Sequence, residues 1–257
     1  MTEIYFARQP IYNRDFQVEG YELFYRQTAG ADSAQFLDAE IATSQIVLNT
    51  VTEVGLEQVV GPHKAFINVA RDFVVGGYLE MFASPQLMFE VTGNIVVDEP
   101  LVEVLRKLRQ QGHRFVLDDY TDNDAYQALL EIADCVKIDM LTTPEQEVRR
   151  LVPLLRQRGV ALMAECIETQ AVQELCQSLK FDFFQGYHVS QTKMLKFGGV
   201  VPANQLVVLQ LVAKLHQPEI DLKAIEALIR QDVSLSYKLP RYINSAYFNL
   251  ARRIDSI

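Results

Sequence analysis

The sequence predicts an α/β chain, a TIM-like (β/α)8 barrel followed by a small all-α segment, and two observations carry that prediction. As far as Phe197, short apolar runs recur at helix-length separations, and each runs into a charged or amide side chain. Beyond Phe197 only helical patterns appear. The polar residues at the run ends are Glu22, Asn68, Glu90, Asp118 with Asp119, Lys137, Glu165 and Gln185, preceded by runs such as Ala65-Phe66-Ile67, Leu87-Met88-Phe89 and Phe115-Val116-Leu117. In a parallel β/α barrel the C-terminal strand ends open onto one face, so side chains far apart in the chain converge there.

Taken in order, Ile4 to Arg8 and Val18 to Tyr25 read as strands joined by a turn through Asn13-Arg14-Asp15, a connection that allows antiparallel pairing. Helices are expected at residues 35–55, 72–82, 99–111, 124–132, 144–158 and 169–179. Thr143 and Pro144 form a start signal for the fifth of these, and Gly159 closes it after Arg156 and Arg158. Gly112 ends the helix in which Leu101, Leu105 and Leu108 mark one buried face. Phe197-Gly198-Gly199-Val200-Val201-Pro202 reads as a linker, and helical patterns follow at 204–216, 221–230 and 233–244. The domains are therefore set at 1–198 and 199–257. The second is too short for much of a core of its own. It reads as incomplete, the chain stopping at Ile257 just past a basic amphipathic stretch.

Composition limits the function classes. With 257 residues, 49% of them hydrophobic and 22% charged, the chain can bury one large core. No apolar run approaches the roughly 20 residues that span a bilayer, and the N-terminus lacks the pattern of a secretion signal, so a cytoplasmic protein without a membrane segment is expected. Cys135, Cys166 and Cys176 have neither paired nor metal-type spacing and read as reduced thiols in or near the core. A net charge of −9 argues against DNA or RNA as a partner.

The polar set has its own chemistry. Carboxylate and amide oxygens without His or Cys are hard ligands, suited to Mg²⁺ or Mn²⁺. Adjacent carboxylates such as Asp118 and Asp119 can serve two metals roughly 3.5–4 Å apart, an arrangement that activates water and stabilises both oxygens of a phosphodiester displacement. Lys137 is suited to orienting that water or offsetting charge on the phosphate. His63, His113, His188 and His216 are scattered, which leaves little support for acid–base work by histidine.

Each residue taken singly also has a structural reading. Asp118 and Asp119 can cap a helix, as can Asn68. Lys137 can be a snorkelling strand-end side chain, and Glu165 or Glu168 a first-turn acid facing a helix dipole. Arg26 can pair with an exposed acid. Tyr187 and Phe184 read as core or rim packing, and Cys166 as a small, fairly buried side chain.

The segments Gln9-Pro10-Ile11, Gly20-Tyr21-Glu22-Leu23-Phe24-Tyr25-Arg26, Asn68, Glu90-Val91-Thr92, Asp118-Asp119, Lys137-Ile138-Asp139, Ala164-Glu165-Cys166-Ile167-Glu168-Thr169 and Gln185-Gly186-Tyr187 resemble, in order and spacing, the EAL family of cyclic-di-GMP phosphodiesterases. The resemblance covers residues 1 to about 195. It implies a modified barrel whose first strand runs antiparallel, and hydrolysis of cyclic di-GMP to linear pGpG with Mg²⁺ or Mn²⁺. Glu22, Asn68, Glu90 and Asp118 are implied as ligands of one metal, and Asp118, Asp119 and Glu165 of the other. Lys137, Glu165 and Glu22 form the implied catalytic set, with Arg26, Gln185, Gln9 and Pro10 on the substrate side. The helices after residue 199 resemble the start of an HDOD domain, and the whole is similar to bacterial EAL–HDOD signalling proteins. Many of those bind or regulate rather than hydrolyse. Absence of any His-Asp dipeptide excludes HD-type hydrolysis from the C-terminal segment.

This sequence departs from the family at several points. Leu23-Phe24 follows Glu22 where the family has Ala-Leu, Gly93 replaces a second glutamate, Tyr120–Asp124 does not match the loop Phe-Gly-Thr-Gly, and the stretch from Gln185 to Thr192 lacks the usual proline. Three functions stay open on these grounds: the phosphodiesterase, a cyclic-di-GMP receptor without turnover, and a scaffold binding a protein partner or forming a homodimer through the barrel or the C-terminal helices.

Overall fold

The computed structural model describes residues 2–26, 55–80, 82, 84–92, 95–120, 122–190, 192–199 and 222–231, together with Val207, Leu211 and Lys214. The chain opens with two long strands, β1 (Thr2–Asn13) and β2 (Val18–Arg26), paired antiparallel from Tyr5↔Arg26 to Tyr12↔Val18. Asn13 shapes the turn between them, its side-chain oxygen accepting from the backbone N–H of Asp15 and Gln17, each at 3.0 Å.

Strand and helix then alternate: α1 (Leu56–Val60), β3 (Lys64–Val69), α2 (Arg71–Val75), β4 (Leu87–Val91), α3 (Glu99–Gln110), β5 (Arg114–Leu117), α4 (Asp124–Leu130), β6 (Cys135–Asp139), α5 (Glu145–Gln157), β7 (Ala161–Glu165), α6 (Gln170–Ser178) and β8 (Phe183–Phe184). Strands β2 to β8 are parallel, and β1 closes the barrel by pairing antiparallel with both β2 and β8. The expected barrel with an antiparallel first strand is the observed one.

Several element ends differ from expectation for local reasons. The helix expected over residues 72–82 stops at Val75, because Gly76 and Gly77 follow and Gly77 takes φ +78°. Helix α5 begins one residue later than expected: Pro144, at φ −58° and ψ 142°, occupies the N-cap position itself and Thr143 makes no cap. Asp98, Asn123 and Thr169 do cap α3, α4 and α6, accepting from Leu101, Tyr126 and Val172 N–H. Arg71 reaches across from α2 to donate to Asp98, tying two successive units together. The expected linker is instead a strand as far as Gly199. Strand β9 (Lys193–Gly199) pairs antiparallel with Thr2–Arg8 on the same edge of β1 that β8 uses further along. Between those two pairings Gln9, Pro10 and Ile11 have no partner on that edge, a place where proline, lacking an N–H, is tolerated. The helix expected at 35–55 falls outside the described residues apart from Gly55, as does the one at 233–244. In the C-terminal segment α7 (Leu222–Gln231) forms, and Val207, Leu211, Ile225 and Leu228 are buried.

Two apolar layers hold the barrel. The outer one packs strand side chains such as Ile67, Phe89 and Phe115 against Leu101, Leu105 and Leu108 of α3 and Val148, Leu151 and Leu155 of α5. The inner one is a separate plug of Ile11, Phe66, Met88, Val116, Cys135 and Met163 inside the barrel. His113 is buried with its ring nitrogens 3.0 Å from Leu108 O and 2.7 Å from Leu79 O, a brace between α3 and the turn after α2 rather than a chemical group.

Gly20 shows how tightly the plug is fitted. Its missing β-carbon would sit 2.6 Å from the Phe66 ring and 2.8 Å from Lys64 O, so the bare backbone of β2 is what admits the ring. Gly20→Ala is expected to destabilise the chain by about 1–3 kcal/mol, read as a lower urea midpoint. Adding Phe66→Leu should recover part of the clash with the ring but not that with the Lys64 carbonyl, so the double variant should cost less than the sum of the two single ones.

Candidate active site

Strand parity puts the polar set on one level. Register pairs Gln9 with Glu22, Glu22 with Phe66, Asn68 with Glu90, Glu90 with Val116, Val116 with Cys135, Lys137 with Met163 and Met163 with Phe183. Paired residues share a face, and residues two apart on a strand share it again. Gln9, Glu22, Asn68, Glu90, Asp118, Lys137, Glu165 and Gln185 therefore form a ring directly above the apolar plug, at the C-terminal mouth.

At the centre stands Lys137, 1% exposed, with its Nζ 3.0 Å from Glu165 Oε2, 3.2 Å from Asp118 Oδ1 and 3.4 Å from both Glu22 Oε2 and Glu90 Oε1. Burial disfavours its charge, but those four carboxylates outweigh burial and hold the ammonium well above its ordinary pKa. Glu22 receives the most help. Asn68 Nδ2 donates to its Oε1 at 3.0 Å and Gln185 Nε2 to its Oε2 at 2.7 Å. Burial raises its carboxyl, yet Lys137 and these donors bring it below the usual range.

Glu90 is treated in the opposite way. It is fully buried and neither carboxylate oxygen accepts a hydrogen bond. Burial, then the neighbouring Glu22 charge, pushes its pKa far up. Glu165 is pushed up to about 8 by burial, with Lys137 opposing and Asp118 adding to the rise. Among the described residues one cation serves these four carboxylates, so the ring carries more acid than base.

Asp119 follows Asp118 in the left-handed region at φ +50°, its N–H donating to Asp118 Oδ1 at 3.0 Å. This turn brings one oxygen each of Asp118, Asp119 and Glu165 within 4.8 Å of one another. The Gln185 end is locked to the β7 exit. Ile167 N–H donates to Gln185 O and His188 N–H to Ile167 O, at 3.1 and 3.0 Å. Gly186 is required there, because a β-carbon would lie 2.3 Å from Ile167 N and O.

The structural readings of Asp118, Asp119, Asn68, Glu165 and Lys137 do not hold. Asn123, not Asp118 or Asp119, caps α4. Helix α2 has Ala70 at its N-cap position and no side-chain cap, and Asn68 turns to Glu22 instead. The first turn of α6 holds no acid, and Glu165 faces Lys137. Lys137 is enclosed, not snorkelling.

A cavity of about 440 Å³ opens above this ring, within the range of small-molecule sites. Among the expected residues, Gln9, Glu22, Asp118, Asp119, Lys137, Glu165 and Gln185 line it. Pro10 does not: it is buried, and lies on the face of β1 opposite Gln9. The Arg26 side chain and Gly93 lie outside the described residues. The cavity also takes in Phe24, Asp139, Leu141, Cys166, Glu168 and Tyr187. Asp139 was discoverable from its place two residues after Lys137 on the same strand face. Cys166 is exposed rather than buried. It takes φ +55° at the β7 exit, and partial burial followed by Glu165 and Asp139 pushes its thiol up to about 12. Tyr187 is 66% exposed at the rim, whereas Phe184 is core and stacks on Phe16 at 5.5 Å.

Residues 77–192 match the family model of the EAL domain and residues 201–257 that of the HDOD domain. The chain is 29% identical over 260 residues to YuxH, an uncharacterised protein of Bacillus subtilis, covering 99% of this chain and 63% of that one. It is also 29% identical over 258 residues to the cyclic di-GMP phosphodiesterase CdgJ of Vibrio cholerae, covering 100% of this chain and 60% of that one. The chain thus spans about three fifths of the length of these relatives. Among solved structures, the EAL-containing YkuI protein of Bacillus subtilis, in complex with c-di-GMP and calcium, superposes with a TM-score of 0.62 at 18% identity, covering 93% of this chain and 67% of that one. Klebsiella pneumoniae BlrP1, in a manganese and cy-diGMP complex, gives 0.58 at 22%, covering 77% and 58%. At these identities the structural likeness is one of fold.

Lys137→Met removes the one ammonium the four carboxylates share and is expected to cost about 3–5 kcal/mol in metal-free buffer. Combined with Glu90→Gln, which deletes the carboxylate without donors, the loss should shrink. Chemical denaturation of wild type, both single variants and the double variant checks that sign.

Proposed function

This chain is an EAL–HDOD protein, and from that premise we propose that it is a metal-dependent phosphodiesterase that hydrolyses cyclic di-GMP to linear pGpG. The observation that carries the reading is the charge of the cavity. Glu22, Asp118, Asp119, Asp139, Glu165 and Glu168 line it, with Lys137 the one cation among the described lining residues. An anionic phosphodiester would be repelled from such a surface unless further cations were held there. The donors suit divalent cations. They are hard oxygens, and both Glu90 oxygens are buried without a hydrogen-bond partner.

Glu22, Asn68, Glu90 and Asp118 would hold one Mg²⁺ or Mn²⁺, and Asp118, Asp119 and Glu165 a second. When bound, such a pair supplies an activated water and stabilises the charge on both sides of the displacement. The remaining work belongs to the chain. Lys137, 3.0 Å from Glu165 and 3.2 Å from Asp118, would donate to the attacking water and orient it. Asn68 and Gln185 keep Glu22 ionised and correctly turned by donating to its two oxygens. Gln9, 3.4 Å from Gln185 Nε2, and Arg26 are assigned to the substrate side. The named activity of CdgJ and the nucleotide complexes of YkuI and BlrP1 support the same ligand class.

A second reading, a receptor that binds the nucleotide without cutting it, is favoured by one observation. Gly93 stands where the family has a second glutamate, and Tyr120–Asp124 departs from the family's loop after the paired aspartates. Residues 201–257 are assigned to a partner or dimer surface. Among the described residues no helix is long and apolar enough to cross a membrane.

Turnover of cyclic di-GMP with Mn²⁺ or Mg²⁺ decides between the readings. Wild type should form linear pGpG, Glu22→Ala should lose at least a hundredfold of that rate, on the scale expected for a lost transition-state interaction, and chelation should abolish it. Nucleotide binding by calorimetry without product would establish the receptor.

A further inference from the structure

We propose that Arg150, on the outer surface of α5, is a positioning residue for Asp119 and so sets the affinity of the second metal position. The assignment rests on the metal reading above.

Asp119, at φ +50°, occupies a left-handed backbone region that non-glycine residues rarely adopt, although aspartate tolerates it better than most. Its carboxylate is exposed, so packing does not hold it in place. Something further along must keep the turn from relaxing. The next residue, Tyr120, is 6% exposed and sets its ring edge-on to Tyr126 at 6.1 Å. Behind it, however, lies a cavity of about 270 Å³ between α4 and α5, lined by Tyr120, Asp122, Leu151, Leu155 and Arg158 among others. Apolar contact therefore backs this segment incompletely.

The polar contacts converge on Asp122. Its Oδ1 accepts from the Tyr120 hydroxyl at 3.5 Å and from Gln127 Nε2 at 3.3 Å, and its Oδ2 accepts from Arg150 Nη2 at 2.9 Å. Arg150 is itself held by Glu147, its Nε donating at 2.8 Å and its Nη2 at 2.6 Å. Glu147 and Arg150 are one helical turn apart on α5, which packs on the core through Val148, Leu151, Val152 and Leu155 and belongs to the next β/α unit. Asp122 is thus the node that ties the segment carrying Asp119 to a helix packed on the core.

Energy and function separate here in a way that can be tested. With side-chain exposures of 48% and 29%, the Arg150–Asp122 pair contributes little to global stability. A partner that fixes a metal ligand, by contrast, commonly changes metal affinity 10- to 100-fold when removed.

The experiment is Mn²⁺ titration of the full chain, with free Mn²⁺ followed by electron paramagnetic resonance and thermal melting run in parallel without metal. Arg150→Ala and Asp122→Ala should each weaken the second Mn²⁺ equivalent by about tenfold or more, with no further loss in the double variant and partial recovery in Arg150→Lys. The metal-free melting point of Arg150→Ala should stay near wild type. Mn²⁺ binding by Arg150→Ala equal to wild type would overturn the assignment alone, as would a loss of melting temperature that accounts for the weaker binding. Wild type taking up no Mn²⁺ would remove the metal reading and this assignment together.

Discussion

One ammonium group, that of Lys137, sits where the barrel's four inward carboxylates meet, and the arrangement of the mouth depends on it. Taking four acids out of water without a counter-charge is prohibitive, so they are tolerated only because Lys137 touches all of them and because protons stay on the least favoured. The barrel divides the burden unequally. Glu22 receives two amide donors and is kept charged, while Glu90 receives none and is driven to hold a proton.

Beneath that level the barrel is ordinary apolar packing, and the boundary between the two is sharp. Phe66, Met88, Val116, Cys135 and Met163 lie one strand repeat below Asn68, Glu90, Asp118, Lys137 and Glu165. The plug lies beneath the carboxylates, and the cavity opens above them at the mouth. A dry floor also raises the strength of every charge interaction above it.

Strand-end polarity made most of this legible in the sequence. A two-residue repeat with one face apolar fixes which side chains point inward, so Glu22, Asn68, Glu90, Asp118, Lys137, Glu165 and Gln185 could be named before any coordinates. What escaped was set by backbone or by distant pairing. Strand β9 was hidden because Phe197-Gly198-Gly199 carries turn residues, and only the edge of β1 makes it a strand. Cys166 read as buried from its chemistry, yet its left-handed backbone turns it outward. Pro10 belonged to a motif whose neighbour Gln9 faces the site while Pro10 faces away. The tie between Asp122 and Arg150 joins two units and has no local signature at all.

The double use of β1 has a consequence for how the chain comes to be folded. This first strand meets β2 at once, through a short turn, but its other edge has to wait: Tyr12 pairs with Phe184, and Thr2 with Gly199. During synthesis, therefore, the edge of β1 stays open until nearly the whole barrel has left the ribosome. Closure is among the most non-local contacts a chain of this size can make, and such topologies fold slowly. An uncovered strand edge is also a template for pairing with other chains. The sequence meets that exposure with Arg8, Pro10 and the charged ends of the turn at Arg14 and Asp15, residues that discourage a foreign strand from docking before its own partners arrive.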